Sequence, residues 1–187
     1  MGTFSNYNDV SWTDYNEEEA ENEKYCIEAI LKHSKKLRII DINANGERKW
    51  FDMVTKVKNR LMWIELEHKN KWYNIDTLKR WGTFHLLKHK AEVKKGKLDW
   101  WNENENDNAL AVHCFFGTYY DIFAIFSIPK VVNQPTTKKW CQRNGVWKLE
   151  DFYEYQYDDI WVFPIEHFED VLLNLDNPSY LESIRIK

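Results

Sequence analysis

Asp52, Glu67 and Lys69 are the residues whose types and spacing could do hydrolytic chemistry. Glu65, Glu67 and Lys69 alternate within LMWIELEHK (61–69), so in a strand all three project to one face. The run WFDMVTKV (50–57) reads as the preceding strand, and a short turn at 58–60 folds it back so that Asp52 approaches the same face. Two carboxylates and an ammonium group on a half-buried strand are costly unless something compensates them. A divalent cation does so, because Mg²⁺ commonly takes one or two carboxylates together with waters and a phosphate oxygen. Such an ion neutralises a phosphate and acidifies an attacking water, and a neighbouring lysine orients that water or stabilises the developing charge. Asp52, Glu67 and Lys69 therefore make up an inventory for phosphodiester hydrolysis. The competing reading is a solvated strand face with cross-strand ion pairs and Ile64 and Leu66 inward. Against it, Leu61 and Trp63 share the charged face.

The elements that must position these groups follow from periodicity and punctuation. A first helix is predicted over about 14–34, capped by Thr13 or Asp14 and acidic in its first turn, with Ala20, Ile27, Ile30 and Leu31 inward and Glu23 at the edge of that stripe. RIIDI (38–42) leads to Asn45-Gly46, a pair suited to a type I′ hairpin turn. After Asn74, a natural cap, a helix is predicted over 75–95, bent or split at Gly82 and closed by Gly96, followed by a polar loop over 99–108. Two strands are expected over 109–116 and 119–128. Beyond them come loops with a short hairpin near Trp140 to Trp147, a strand within 158–164, and an amphipathic helix over 166–175.

Asp52 followed by Glu67-His68-Lys69 resembles the PD-(D/E)XK motif of the restriction-endonuclease-like nuclease superfamily. The resemblance implies an α/β fold with an αβββαβ core, a mixed central sheet flanked by helices, over about 14–128, and a C-terminal extension over 129–187 within one domain. It implies that Asp52, Glu67 and the backbone carbonyl of His68 hold Mg²⁺, for which Mn²⁺ can substitute, and that Lys69 is the catalytic lysine. It further implies a contribution from the first helix, for which Glu23 is best placed and Glu19 next. Lys79 or Arg80 stands where some members carry a basic residue early in the second helix, and Lys71, Lys79 and Arg80 are candidate DNA contacts. Phe51 replaces the motif proline. The activity implied is DNA cleavage, with a phage, mobile-element or bacterial setting. The alternative is an inactive nuclease-fold module that binds DNA or protein.

Composition agrees with a polyanion partner. The net charge is −4, yet residues 32–97 hold eighteen Lys or Arg against seven acids, between acidic flanks. The hydrophobic fraction of 43% is ample for a buried core. Three dispersed cysteines form no disulfide framework or zinc cage. No signal peptide and no span of roughly 18 apolar residues is evident, so a cytoplasmic location is expected. Asn6 does not suit myristoylation of Gly2. His85 and His89 read as a surface pair one helical turn apart, not a zinc site. Cys114 and His113 read as core. Trp100 and Trp101 lie in the acidic loop and suit packing at least as well as DNA. Tyr153, Tyr155 and Tyr157 form an aromatic strand face, first for internal packing and otherwise for a homodimer. No GK[ST] loop, GxGxxG or GxSxG motif is present, which argues against an NTPase, a dinucleotide enzyme or an α/β-hydrolase.

Overall fold

The computed structural model describes residues 17–42, 50–143, 145–156 and 159–187. Helix α1 (Glu17–His33) precedes strands β1 (Arg38–Ile42), β2 (Met53–Val57) and β3 (Arg60–His68). The predicted cap at Thr13 or Asp14 and the Asn45-Gly46 turn lie outside the described residues. β1, β2 and β3 are an antiparallel meander. The β2–β3 turn consists of Lys58 and Asn59, both with positive φ (48° and 64°), as a two-residue type I′ turn requires. It closes on the pair Val57 and Arg60, and that closure fixes every pair above it, including Met53 with Ile64.

The connection from β3 to the next sheet strand is split at Gly82, one of the two outcomes expected there, but a strand rather than more helix follows the split. It contains α2 (Ile75–Trp81), β4 (Thr83–Leu87) and α3 (Lys88–Asn104). Asn74 caps α2 as expected, its side chain accepting from the Thr77 N–H at 3.1 Å. Gly82 ends that helix at φ 70°, and TFHLL leaves as a strand because its buried residues alternate. Gly96 lies within α3, whose C-terminal turns carry Trp100 and Trp101, so the expected loop at 99–108 is mostly helix. Apolar periodicity misreads α3 because lysines occupy inward positions of its sheet-facing side.

β5 (Leu110–Phe116) pairs parallel to β3, and β6 (Ile122–Ser127) pairs antiparallel to β5. The one-turn helix α4 (Ile128–Val131) leads to a long hairpin, β7 (Thr136–Arg143) and β8 (Val146–Gln156). β9 (Val162–Pro164), a 3-10 turn, α5 (Phe168–Leu173) and α6 (Pro178–Ile184) complete the chain, and α6 is an element the sequence reading lacks. The main sheet is mixed, in the order β1-β2-β3-β5-β6-β9, and β4-β8-β7 form a second sheet.

One face of the main sheet carries Met53, Ile64, Leu66, Cys114, Phe116 and Phe123, which pack with Ile27 and Ile30 of α1 and Phe168 and Leu172 of α5. On the other face Trp63, Ala111 and Leu98 pack together near α3, while Phe115, Phe126, Phe84 and Tyr153 join the second sheet to the first. The central strands are thus covered on both sides, as their near-continuous apolar runs require. The architecture is the helix-flanked mixed α/β sheet expected of a restriction-endonuclease-like fold. Among the described residues no helix is long and apolar enough to cross a membrane.

Candidate functional site

The two-residue turn decides which acids meet. Counting outward from Val57 and Arg60 sets Asp52 opposite Glu65, with Glu67 one strand repeat beyond on the same face. The Asp52 N–H donates to the Ile64 carbonyl at 3.1 Å, and the Leu66 N–H donates to Asp52 Oδ2 at 2.7 Å. The carboxylate thereby stands in for a backbone acceptor at the point where β2 begins. The expected pocket has Asp52 beside Glu67, but the nearest strand neighbour of Asp52 is Glu65. The separation of 52 and 67 alone does not reveal this; the turn length does.

Glu23 of α1 approaches from the side, and its charge is felt at Asp52. Burial, then the carboxylates of Glu65 and Glu23, hold the Asp52 carboxyl well above its ordinary range, opposed by Lys94 and the Leu66 N–H. Lys94 comes from α3. Its Nζ donates to Glu65 Oε2 at 2.6 Å and to the Trp50 carbonyl at 2.9 Å, and it lies 4.9 Å from the Phe51 ring centre. Lys97, one helical turn on, is only 4% exposed, and burial together with Lys94 pulls its pKa down to about 8 against the pull of Glu65. Lys90, Lys94 and Lys97 share a helix side by their spacing.

Glu67 belongs to an adjoining set. It forms an ion pair with Lys69, and His113 Nε2 lies 3.2 Å from its Oε2. Burial raises its carboxyl, but His113, Lys69 and Lys90 together hold it far below the usual range. Glu65 pairs with His113 and Glu67 with Phe115 across the parallel β3–β5 ladder, which is why His113 reaches this face. Lys69 Nζ also sits 5.1 Å from the Phe115 ring centre and 5.9 Å from that of Phe84. Its N–H donates to the Phe116 carbonyl, so Lys69 extends the strand edge past His68. The His68 side chain turns to the opposite face, stacked 4.7 Å from Tyr120.

The remaining candidates lie apart from this groove. Lys71 is exposed in the turn after β3, and Lys79 and Arg80 are exposed in the last turn of α2, not at the start of a sheet-covering helix. The helix that supplies basic side chains to the acids is α3. Sequence reasoning missed Lys94, Lys97 and His113; the available signal was lysines at helical spacing where apolar residues are expected. His85 lies on β4, paired with Glu154 at 2.7 Å, and His89 lies on α3, so they share no helix turn. Burial pushes the thiols of Cys26 and Cys114 up, which leaves them inert as nucleophiles. Trp100 packs on Trp50 and Trp101 on Trp63, with ring centres 5.2 and 5.1 Å apart. Beside them the face opens into an apolar cavity of about 520 Å³ whose walls include Trp50, Phe51 and Trp63. Tyr153 is buried and Tyr155 packs on Phe126, so they serve internal packing; Tyr157 lies outside the described residues.

The donor set suits a hard divalent cation. Asp52, Glu65 and Glu23 come from three parts of the chain and feel one another's charge, and burial together with these like charges disfavours Asp52 as an anion. Among the described residues no three His, Cys, Asp or Glu side chains form a closed metal cage. An open site with two carboxylates and solvent is the arrangement Mg²⁺ accepts.

No family model matches the chain, and no curated protein matches its sequence. Among solved structures, the chain is similar to Hjc, a Holliday junction resolvase from Archaeoglobus fulgidus, at a TM-score of 0.39 and 10% identity, over 74% of this chain and 84% of that one. A likeness this distant leaves activity to be argued from the groove itself.

Proposed function

We propose that the chain is a divalent-metal-dependent nuclease that hydrolyses DNA phosphodiester bonds. The observation that carries this reading is the buried carboxylate of Asp52, held by the Leu66 N–H and set against Glu65 and Glu23 near the Lys94 ammonium. The PD-(D/E)XK resemblance of Asp52, Glu67 and Lys69 supports it, as does the basic middle of the sequence.

Asp52 and Glu65 would hold Mg²⁺ or Mn²⁺, with Glu67 and the His68 carbonyl next along the strand and Glu23 on the α1 side. The bound ion would supply charge neutralisation at the phosphate and an acidified water. Lys69 Nζ, held between Glu67 and the rings of Phe115 and Phe84, is positioned to donate to a phosphate oxygen. Lys94 orients Glu65 through its hydrogen bond to Oε2. Lys71, Lys79 and Arg80 would meet flanking phosphates, where each contributes mainly to salt-dependent affinity.

The test is cleavage of plasmid, branched and single-stranded DNA with Mg²⁺ or Mn²⁺. We expect Asp52→Ala and Glu65→Gln each to lower cleavage by at least about 100-fold, in the range seen when one electrostatic group is removed from an active site. Glu67→Gln is expected to do less, because Asp52 does not depend on it. Absence of cutting on every substrate, with no response of the melting temperature to Mn²⁺, rejects the reading.

One observation favours a second reading, an inactive nuclease-fold binding module. Lys94 and Lys69 already neutralise Glu65 and Glu67 internally. On that reading Mn²⁺ does not bind at all, and calorimetry separates the two.

A further inference from the structure

The β7–β8 hairpin reaches well past the sheet that anchors it. β4 pairs only with residues 152–156 of β8, whereas β7 and β8 pair with each other from Arg143 and Val146 back to Thr136 and Tyr153. In the projecting part Trp140 stands opposite Leu149, and Gln142 opposite Trp147, so these four side chains share one face. Trp140 is 66% exposed, Trp147 62% and Leu149 49%. Elsewhere Trp50, Trp63, Trp100 and Trp101 form a ring cluster, but among the described residues Trp140 and Trp147 contact no other ring.

Large rings left in water on a projecting ribbon call for a partner. Charge says which kind. Residues 98–187 are acidic as a whole, yet from Thr136 to Leu149 the sequence carries Lys138, Lys139, Arg143 and Lys148 and no acid. At the base of the hairpin Lys138 meets Asp151 at 3.3 Å and Lys139 meets Glu154 at 3.5 Å, and the sequence places two further bases, Arg143 and Lys148, towards the tip. A second copy pairing along the open edge of β7 would set the adjacent Lys138 and Lys139 against their own kind, a device that blocks edge association. The rings form one side of a ribbon whose outer part is basic in sequence, with Lys139 and Lys148 alternating to the reverse side, and exposed rings on a basic ribbon match the chemistry of nucleotides whose bases are free to stack. In a duplex those base faces are hidden.

We propose that the Trp140, Gln142, Trp147 and Leu149 face of the hairpin binds unpaired nucleotides of a nucleic acid, with Trp140 and Trp147 as stacking platforms and the basic charge of the ribbon attracting the phosphates. The inference rests on the nuclease reading for its class of partner, but its chemistry is separate from the carboxylate groove. It would direct the groove towards substrates that contain single-stranded segments.

The test is binding of the full chain to a labelled single-stranded oligonucleotide, and to the duplex of the same sequence, in EDTA. Anisotropy and tryptophan quenching are the readouts. We expect preference for the single strand, a loss of at least about tenfold for the Trp140→Ala/Trp147→Ala double variant, and retention of most binding by Trp140→Phe, which keeps a ring. Lys148→Glu should weaken binding and flatten its salt dependence. Asp52→Ala should bind as wild type does while losing cleavage. If the tryptophan variants bind single strands like wild type, the proposal is overturned, whatever happens to cleavage. It is also overturned if they convert a dimer to a monomer in sedimentation without changing oligonucleotide affinity. If binding depends on the tryptophans but no variant or wild type cuts DNA, the stacking surface stands and the catalytic reading falls.

Discussion

Asp52 sits where stability and chemistry pull in opposite directions. Its carboxyl is raised by burial and by Glu65 and Glu23, so the charged form is held less easily in the folded chain than in the unfolded one. A group whose folded pKa is raised binds more protons in the folded state, so its contribution to stability falls as pH rises from the unfolded value of about 3.9 through the folded one. Asp52→Asn keeps an acceptor for the Leu66 N–H and removes the charge. In EDTA we expect this variant to melt above wild type at pH 8, each kcal/mol appearing as about 2–4 °C, with the difference shrinking to nothing in acid below the unfolded value. Mn²⁺ should raise the melting temperature of wild type and leave that of the variant unchanged. A variant that melts lower than wild type at pH 8 in EDTA would show that the carboxylate is not strained.

At the scale of elements, the turn between β5 and β6 locks the end of the sheet that carries Lys69. The Thr118 N–H donates to the Trp72 carbonyl, and its hydroxyl donates to the Lys69 carbonyl at 3.2 Å. Gly117 makes this approach possible. A Cβ there would lie 2.6 Å from Ile122 Cγ1 and 2.8 Å from the Trp72 carbonyl oxygen. The second of these is backbone and cannot swing aside. Gly117→Ala is therefore expected to cost about 1–3 kcal/mol, as overpacking does. Denaturant unfolding reads this directly, and a midpoint equal to that of wild type would contradict the close packing described. The β2–β3 turn acts at the same scale, because its two residues close on Val57 and Arg60 and that closure sets which glutamate stands opposite Asp52.

For the whole molecule, the segment after β6 is no appendage. β9 extends the main sheet, and Phe163, Phe168, Val171 and Leu172 are essentially fully buried in the core shared with α1. Removing one such phenylalanine costs about 3–5 kcal/mol, against a total stability of about 5–15 kcal/mol for a typical domain. A chain ending after Gln156 is accordingly expected to lose cooperative thermal unfolding, and a truncated chain that melts sharply near the wild-type temperature would refute this. The hairpin of β7 and β8 differs in kind, because its outer half holds no buried apolar residue and can carry substitutions without loss of the fold.

The sequence by itself determined the meander, the cap at Asn74 and the face that Glu65, Glu67 and Lys69 share. Those features depend on local alternation, turn chemistry and end signals, which neighbouring residues carry. Only the tertiary structure decided that Asp52 meets Glu65 first, that Lys94 and Lys97 come in from α3, and that His113 reaches Glu67 across a parallel ladder. The physical reason is that register and helix placement join residues far apart in the chain, and no periodicity within either segment records which residue of the other it will face. The split of the expected helix at Gly82 has the same origin, since TFHLL becomes a strand by pairing with β8, nearly seventy residues further on.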